Sequence, residues 1–403
     1  ELNGLLGCLE GRRINSGPSG SPYRNRTDIK PTGRNIFAID PRSIPTKIAF
    51  QNGQSMADEF LRQYLQDNGD YPKNLTIDLW GSASMRTGGQ EYSMALAFAG
   101  LTPIWDDNNA RIVGFSILSL AELDRPRIDI TIRESGLFRD IFPELNKLFF
   151  DAIDKLSQRD ETLEDNPYKN RGDRIFAPKP GSFGVNISDK IEGSLAEHTA
   201  KTGERWLKSS AWAYQKNGQF NENIECLKKR LMNTSGLIHS HDLCESDLLS
   251  AKDYADHIGG FNAAVSNIQN TKPKLYHLDI SSDGMPKVRS TNQELARIIR
   301  GKLSDDKWVS GMMNHGYRGA AEITDLVFNL SNFSKSGITI PNHLIELVFN
   351  STLANTKVAD FIAKENADAL KGLENTFSEL RELGLWRSFH NSIRYEERLM
   401  ENG

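Results

Sequence analysis

The sequence predicts an α/β protein, with a layered α/β N-terminal region followed by a mostly helical α/β region. Apolar segments of strand and helix character alternate in the first part of the chain, an order typical of layered α/β folds. Residues 158–173 are almost wholly polar, which is typical of a linker. The segments after this stretch have mainly helical periodicity. We therefore expect two domains, residues 1–160 and residues 161–403.

The elements of the first region are predicted from local patterns. Residues 10–50 are rich in Gly, Pro, Ser, Asn and Arg, and should form loops. Residues 75–80 and 128–132 are apolar and partly β-branched, which favours strands. Small residues predict a turn at 81–89. The remaining predictions are helices at 55–68, 91–100 and 143–157 and a further apolar run at 112–120.

The second region is predicted to be mainly helical, because apolar residues recur there with a period close to 3.6. The predicted helices are residues 203–216, 221–232, 251–269, 292–303, 319–333, 343–353 and 368–383. Short strands are predicted at residues 237–239 and 274–278.

The composition excludes several classes of protein. The 403 residues contain 38% hydrophobic and 25% charged side chains, as expected for a soluble globular protein. A net charge of −4 gives no overall attraction to nucleic acid or to anionic membranes. The sequence has no 18-residue apolar run and no signal-peptide pattern, so we expect neither a membrane span nor secretion. Three widely spaced cysteines indicate reduced thiols and a cytoplasmic location.

Charged side chains follow the predicted strand 128–132. Arg133, Glu134, Arg139 and Asp140 come next in the chain. In α/β sheets, ligands usually bind beyond the carboxyl ends of the strands. These residues therefore predict a ligand site, and a structural ion-pair network is the alternative interpretation.

Two loop segments also offer hydrogen-bond donors. Arg34 and Asn35 lie in the extended N-terminal part, where they either bind a ligand or decorate a surface turn. Residues 79–89 lead from a strand through small residues into a helix, a geometry that suits anionic groups. Their glycine spacing matches neither the dinucleotide-binding nor the Walker pattern. We therefore expect no ATPase activity in this chain.

Potential metal ligands are concentrated in residues 239–247. His239 and His241, if they lie on an extended segment, point to the same side, with Asp242 and Glu245 shortly after them. Imidazole and carboxylate groups bind divalent transition metals, and either group can also accept protons. The alternative is a loop-to-helix junction in which Asp242 or Ser246 caps the following helix.

Five blocks, taken in chain order, resemble the C-terminal region of the cobaltochelatase (CobN) and magnesium-chelatase large subunits. The blocks are residues 31–35, 79–89, 125–140, 174–184 and 311–320. The combination Asp253–Tyr254 and Gly259–Phe261 is similar to a segment of the CobN branch. The resemblance therefore implies ATP-dependent insertion of cobalt into a corrin precursor in cobalamin biosynthesis. Magnesium insertion into protoporphyrin is the alternative.

The resemblance also implies partners and functional residues. ATP would bind to an AAA+ ATPase subunit, and a second partner subunit would carry a metal-ion-dependent adhesion-site domain. A tetrapyrrole and a divalent metal, cobalt or magnesium, would be the substrates. The residues expected to bind the tetrapyrrole in a shared cleft are Arg34, Asn35, Arg86, Arg133 and Arg139. The density of potential ligands in residues 239–247, rather than the resemblance, makes His239, His241 and Glu245 the expected catalytic residues and His239, His241 and Asp242 the expected metal ligands. His315, in the last of the five blocks, is a further expected catalytic residue.

The chain also departs from the family pattern. Family members are usually much longer and include an upstream His-Gly-x-His-type segment, which this sequence lacks. We therefore expect either a fragment or a naturally shortened subunit, for which chelation without the upstream part is not implied. The competing hypotheses are a non-catalytic tetrapyrrole-binding module and a scaffold that docks the ATPase.

Overall fold

The described residues contain two β-sheets and a larger number of helices. The computed structural model describes residues 2–15, 40–108, 110–185, 187, 193–282 and 285–390, so Arg34 and Asn35 lie outside the described residues. The strands are β1 (Asn74–Leu79), β2 (Leu101–Trp105), β3 (Ile112–Ile117), β4 (Asp129–Glu134), β5 (Ile175–Ala177), β6 (Trp212–Tyr214), β7 (Phe220–Glu222), β8 (Leu237–His241), β9 (Leu275–Asp279) and β10 (Lys287–Ser290).

The helices are numbered in the same way. They are α1 (Leu2–Leu9), α2 (Lys47–Asn68), α3 (Gly81–Thr87), α4 (Gln90–Ala99), α5 (Leu120–Leu123), α6 (Gly136–Ile141), α7 (Pro143–Ser157), α8 (Leu195–Ser210), α9 (Ile224–Met232), α10 (Lys252–Tyr254), α11 (Gly260–Gln269), α12 (Thr291–Ile298), α13 (Asp306–Met313), α14 (Gly316–Lys335), α15 (Asn342–Ser351), α16 (Thr356–Glu365) and α17 (Ala367–Glu382). Two π-helical turns, Ala255–Gly259 and Ile299–Leu303, continue α10 and α12. None of the described helices combines the length and the apolar character that crossing a bilayer requires.

Eight strands form one mixed sheet in the order β10-β9-β8-β1-β4-β5-β6-β7. Parallel pairing joins β1 to β8, β8 to β9 and β4 to β5, whereas β6, β7 and β10 pair antiparallel to their neighbours. The parallel strands β1 and β8 are buried along their whole length, as expected for strands covered on both faces. The predicted α/β class is therefore confirmed.

The chain divides into two compact units that alternate along the sequence. Unit 1 comprises Glu1–Asp58, Leu79–Asp129 and Leu137–Arg171, and unit 2 comprises Glu59–Asp78, Ile130–Gly136 and Gly172–Gly403. Unit 2 contains nearly all of the eight-stranded sheet, and unit 1 contains the antiparallel pair β2–β3. The division of the chain at residue 160 remains a prediction.

Several predicted element boundaries change in the structure. Residues 81–87, predicted as part of a turn, form helix α3. A methyl group at Gly81 would lie 2.7 Å from the backbone nitrogen of Phe138. Close packing therefore explains why a glycine occupies this helix, although the local propensity of glycine favours a turn. The helix predicted at 203–216 ends at Ser210, and residues 212–214 form β6 instead.

Unit 2 is built around a core in which helices pack closely on the sheet. Trp206 of α8 and Phe261 of α11 meet edge to face, with ring centroids 5.6 Å apart. A methyl group at Gly203 would lie 2.8 Å from the backbone of Ala263 and Ala264. Helices α8 and α11 can therefore approach closely only because residue 203 has no side chain.

Unit 1 has an aromatic core. Tyr92 of α4 is fully buried, its ring lies 6.3 Å from that of Phe138 and 6.1 Å from that of Phe149, and its hydroxyl donates to the carbonyl oxygen of Leu145 at 3.1 Å. This hydrogen bond satisfies the polar end of a ring that otherwise contributes apolar burial. The phenol therefore fixes α4 against α7.

We expect Gly53→Ala to destabilise unit 1 by about 1–3 kcal/mol, the usual cost of overpacking. A methyl group on Gly53 of α2 would lie 2.8 Å from the carbonyl oxygen of Gln90 and would also collide with Ser93 of α4. Urea unfolding of the variant measures this cost. Gly311→Ala is the matched control, because no atom of the described residues outside its own helix lies within 4 Å of the added methyl group. An equal effect of both substitutions would contradict close packing at Gly53.

Candidate functional site

Four strands of unit 2 bring polar side chains together at their carboxyl ends. Asp78 lies near the end of β1, Arg133 near the end of β4, His239 and His241 at the end of β8, and His277 near the end of β9. All five residues are buried. The carboxyl edge of such a sheet is where α/β proteins usually bind ligands, so this edge is the candidate functional site.

Asp78, Arg133 and His257 form a buried group of charged and polar side chains. Arg133 Nη1 donates to His257 Nδ1 at 2.7 Å and to Asp78 Oδ1 at 3.3 Å. The π-helical turn Ala255–Gly259 carries His257 into this position. Because a guanidinium only donates hydrogen bonds, His257 Nδ1 must accept, and the ring is a neutral imidazole with its proton on Nε2.

The pKa shifts agree with this assignment. Burial, and next the positive charge of Arg133, lower the pKa of His257 below its usual value. Burial alone raises the pKa of the Asp78 carboxyl, but the neighbouring His239 and Arg133 side chains hold it well below its usual range. Asp78 is therefore an ionised carboxylate whose negative charge is balanced inside the protein by Arg133.

His239 is the second imidazole beside Asp78. Its Nδ1 lies 3.6 Å from Asp78 Oδ2. If Nδ1 carries the proton and faces the carboxylate, Nε2 holds the lone pair and can accept a proton. Tyr254 packs edge to face against His239 and His241, with ring centroids 5.4 and 5.9 Å away. This arrangement resembles a base whose imidazolium form is stabilised by an adjacent carboxylate.

His277 extends the cluster along the edge of the sheet. Its ring centroid lies 6.4 Å from that of His239 and 5.7 Å from that of His241. His277 Nε2 lies 3.8 Å from Glu294 Oε1, and Glu294 also accepts a hydrogen bond from Arg289 at 3.0 Å. Burial, and next the imidazoles of His239 and His241, lower the pKa of His277 well below its usual value. His277 is therefore neutral at neutral pH.

The neutral histidines give a prediction for pH dependence. An unfolded histidine binds a proton below about pH 6.5, whereas His257 and His277 resist protonation in the folded protein. Their contribution to stability is therefore complete above about pH 6.5 and is lost as the pH falls, by up to about 1.4 kcal/mol per pH unit for each group. We expect a shallower loss in His277→Gln and an unchanged loss in the exposed-site control His343→Gln, measured by urea unfolding between about pH 7 and 5.

The predicted metal ligands lie in and after β8. His241 Nε2 donates to the carbonyl oxygens of Leu243 and Ser246, at 2.7 and 3.0 Å, so Nδ1 is its acceptor atom. Asp242 is partly buried and Glu245 is exposed. The described residues contain no group of three or more His, Cys, Asp or Glu side chains placed to hold a metal ion. The metal-handling role of His239, His241, Asp242 and Glu245 remains a prediction.

The capping alternative for this segment does not match the structure. Helix α10 begins only at Lys252, and its N-cap residue is Ala251. Neither Asp242 nor Ser246 therefore caps it. The segment is instead closed by the hydrogen bonds that His241 donates to backbone carbonyls, which also fix the orientation of that ring.

The arginines predicted to share a cleft differ in environment. Arg133 is buried in the cluster of unit 2. In unit 1, Arg139 is buried and donates to the exposed Asp140 at 2.7 Å, while Arg86 is exposed in the last turn of α3. Arg34 lies outside the described residues. The shared cleft remains a prediction.

His315 lies at the N-terminus of α14, where it is exposed. Among the described residues, none of the contacts that form the buried cluster involves the His315 side chain. Its predicted catalytic role remains a prediction.

The sequence interpretation did not identify Asp78, His257 or His277 as candidate site residues. Asp78 is the one charged residue of the strand Asn74–Leu79 and is 5% exposed. A carboxylate within a buried strand was the available signal, because such a group is rarely buried without a partner. His257 gave no comparable signal, because a π-helical turn brings it to the cluster.

Comparisons with known proteins agree with the resemblance of the five blocks. Residues 1–393 match the sequence model of the family described as CobN/Magnesium Chelatase. An aerobic cobaltochelatase subunit CobN from Pseudomonas aeruginosa is 36% identical over 409 residues, which cover 96% of this chain and 33% of that protein. A magnesium-chelatase subunit from Chlorobaculum parvum is 26% identical over 415 residues, which cover 98% of this chain and 32% of that protein.

A solved structure shows the same fold. The catalytic subunit of cobaltochelatase from Mycobacterium tuberculosis matches with a TM-score of 0.88 and 28% sequence identity, over 98% of this chain and 35% of that one. The chain thus spans about a third of the length of the curated relatives it matches. Since the family match extends over nearly the whole sequence, the chain belongs to the CobN/magnesium chelatase family.

Proposed function

We propose that this chain is part of the large subunit of an ATP-dependent metal chelatase that inserts cobalt into a corrin precursor in the cytoplasm. The observation that carries the proposal is the buried Asp78–His239 pair at the carboxyl edge of the sheet. Insertion of a divalent metal into a tetrapyrrole displaces protons from the N–H groups of the ring, so it needs a proton acceptor. The pair supplies an imidazole together with a carboxylate that stabilises its protonated form.

The preference for cobalt over magnesium is supported by sequence similarity. The CobN subunit from Pseudomonas aeruginosa is more similar to this chain than the magnesium-chelatase subunit from Chlorobaculum parvum. The Asp253–Tyr254 and Gly259–Phe261 segment adds to this preference. In the structure these residues lie in α10, at the end of the turn that carries His257 and at the start of α11.

The residues of the cluster other than His277 have proposed roles. His239 Nε2 accepts a proton from a pyrrole N–H, and Asp78 stabilises the resulting imidazolium by its negative charge. Arg133 keeps Asp78 ionised, while its bond to His257 prevents that histidine from competing for the proton. His241 Nδ1 is available to hold the incoming metal, because Nε2 is committed to backbone carbonyls.

ATP hydrolysis is proposed to occur in partner subunits. The sequence has no Walker-type loop, so an AAA+ ATPase subunit would supply the hydrolysis. A second subunit, with a metal-ion-dependent adhesion-site domain, would complete the complex. The macrocycle that the chain binds more strongly, a corrin precursor or protoporphyrin, distinguishes cobalt insertion from magnesium insertion.

Titration with metal-free macrocycles tests the substrate class. We expect saturable binding of a metal-free corrin precursor, and weaker binding of protoporphyrin, to the full chain, measured by tetrapyrrole absorbance. Arg86→Ala should weaken corrin binding by about 1.5–3 kcal/mol, because an exposed arginine can pair with a macrocycle carboxylate. Arg300→Ala, another exposed arginine, should bind like the parent. Equal binding by both variants would remove Arg86 from the proposal, and stronger protoporphyrin binding would favour the magnesium alternative.

A further inference from the structure

The last of the five sequence blocks, residues 311–320, lies on a different part of unit 2 from the buried cluster. It forms the end of α13 and the start of α14, and exposes His315, Tyr317 and Arg318. Next to this block, α14 and α17 border an open groove of about 600 Å³. The proposed chelation chemistry gives this groove no role.

The groove has the dimensions of a site for a helix. On α14 it is lined by Tyr317, Ala321, Thr324 and Phe328, a spacing that places all four on one helical face. The distance along α14 from Tyr317 to Phe328 is about 16 Å, at a rise of 1.5 Å per residue. Three turns of a second helix fit this length, and helix-in-groove binding is a common form of recognition.

The lining of the groove includes a glycine that packing within the described residues does not require. Gly372 lies within α17, where glycine weakens a helix relative to alanine. Outside its own helix, no atom of the described residues lies within 4 Å of a methyl group added at Gly372. The small side chains of Ala369 and Ala321 line the same groove. A glycine on an open helix face allows the backbone of another molecule to approach closely.

Aromatic side chains also line the groove. Tyr317 is 65% exposed and Phe328 is 37% exposed. Large aromatic residues that are exposed beside a concavity are typical anchors of protein interfaces. They would bury apolar area against a docked helix at both ends of the groove.

The charge of the groove specifies the occupant further. Asp325 and Asp368 line it and are exposed, and its third carboxylate, that of Glu379, pairs with Lys335 at 2.5 Å. No Lys, Arg or His is among the described residues that line the groove. An acidic border favours a basic partner and disfavours nucleic acid and anionic lipid.

We propose that the groove between α14 and α17 binds an amphipathic helix of a second protein, with small apolar residues facing Gly372 and with Lys or Arg residues along its borders. This docking surface is independent of the proposed chelation chemistry. A test of this surface is therefore independent of any test of the buried cluster.

Selection from a phage-displayed library of random peptides of about 14 residues, long enough for three helical turns, tests the chemistry of the occupant. The full chain is the bait, and Gly372→Gln is used for counter-selection. We expect enriched peptides with apolar residues at helical spacing bordered by Lys or Arg. No enrichment, or enrichment of acidic or non-helical sequences, would overturn the proposal.

Matched variants then locate the binding site of a selected peptide, labelled for fluorescence anisotropy. Gly372→Gln should weaken its binding about tenfold or more, as loss of a central contact does. Gly311→Gln, a helical glycine that also has open space around it, should bind like the parent. Asp325→Asn with Asp368→Asn should weaken binding and remove most of its dependence on salt. Equal binding of the peptide by Gly372→Gln and Gly311→Gln would contradict the proposed site. A dimer of the chain that only Gly372→Gln dissociates would also contradict the proposal, because the occupant of the groove would then be a second copy of the chain.

Discussion

Arg133→Met is expected to destabilise the protein by about 3–5 kcal/mol, the usual cost of removing one partner from a buried ion pair. Arg133 and Asp78 have side chains that are 1% and 4% exposed, and 3.3 Å separates Nη1 from Oδ1. Methionine fills a similar volume but leaves the Asp78 carboxylate in a low-dielectric interior without its cation. The substitution also removes the hydrogen bond that keeps His257 neutral and oriented.

Unfolding in urea at neutral pH measures this loss. Arg300→Met, at an exposed position, should stay within about 0.5 kcal/mol of the parent. The double variant Arg133→Met with Asp78→Leu should recover part of the loss, because it removes both charges and leaves neither unpaired. If Arg133→Met alone is as stable as the Arg300→Met control, Arg133 is not the main group that balances the charge of Asp78 at this edge of the sheet.

The strands at the centre of the sheet were predictable from sequence. Residues 75–80 and 237–239 were expected to be strands, and β1 and β8 occupy almost the same positions. Both segments contain apolar residues that include a β-branched isoleucine, a pattern that favours short buried strands. The three-residue strands β5, β6 and β7 were not predicted, because so short a segment shows no alternation and is defined by its tertiary pairing.

The grouping of the two β8 histidines was predictable from the sequence, whereas that of their neighbours in the cluster was not. His239 and His241 are close in sequence and alternate along a strand, so local spacing places them on one face. Asp78 and His257 are 179 residues apart in sequence and meet only because β1 ends beside the π-helical turn. A contact of this kind depends on the order of strands in the sheet, which a single sequence does not determine.

The substitution His239→Gln is expected to lower the rate of metal insertion by about 10²–10⁴-fold, the usual contribution of a general base. Glutamine keeps a polar side chain of similar size at the carboxyl end of β8, but it cannot accept a proton from the macrocycle. Binding of the metal-free macrocycle should be unchanged, because the proposed role of His239 is proton transfer. His343→Gln, at an exposed position on α15, is the matched control.

The most direct measurement is the rate of cobalt insertion by the complete complex, reconstituted with its ATPase partners and ATP and followed by macrocycle absorbance. We predict that His239→Gln and Asp78→Asn both bind the corrin precursor like the parent but insert cobalt far more slowly, while His343→Gln retains the parental rate. If His239→Gln inserts cobalt at the parental rate, the buried Asp78–His239 pair is not the proton acceptor and the proposed chelation chemistry is wrong.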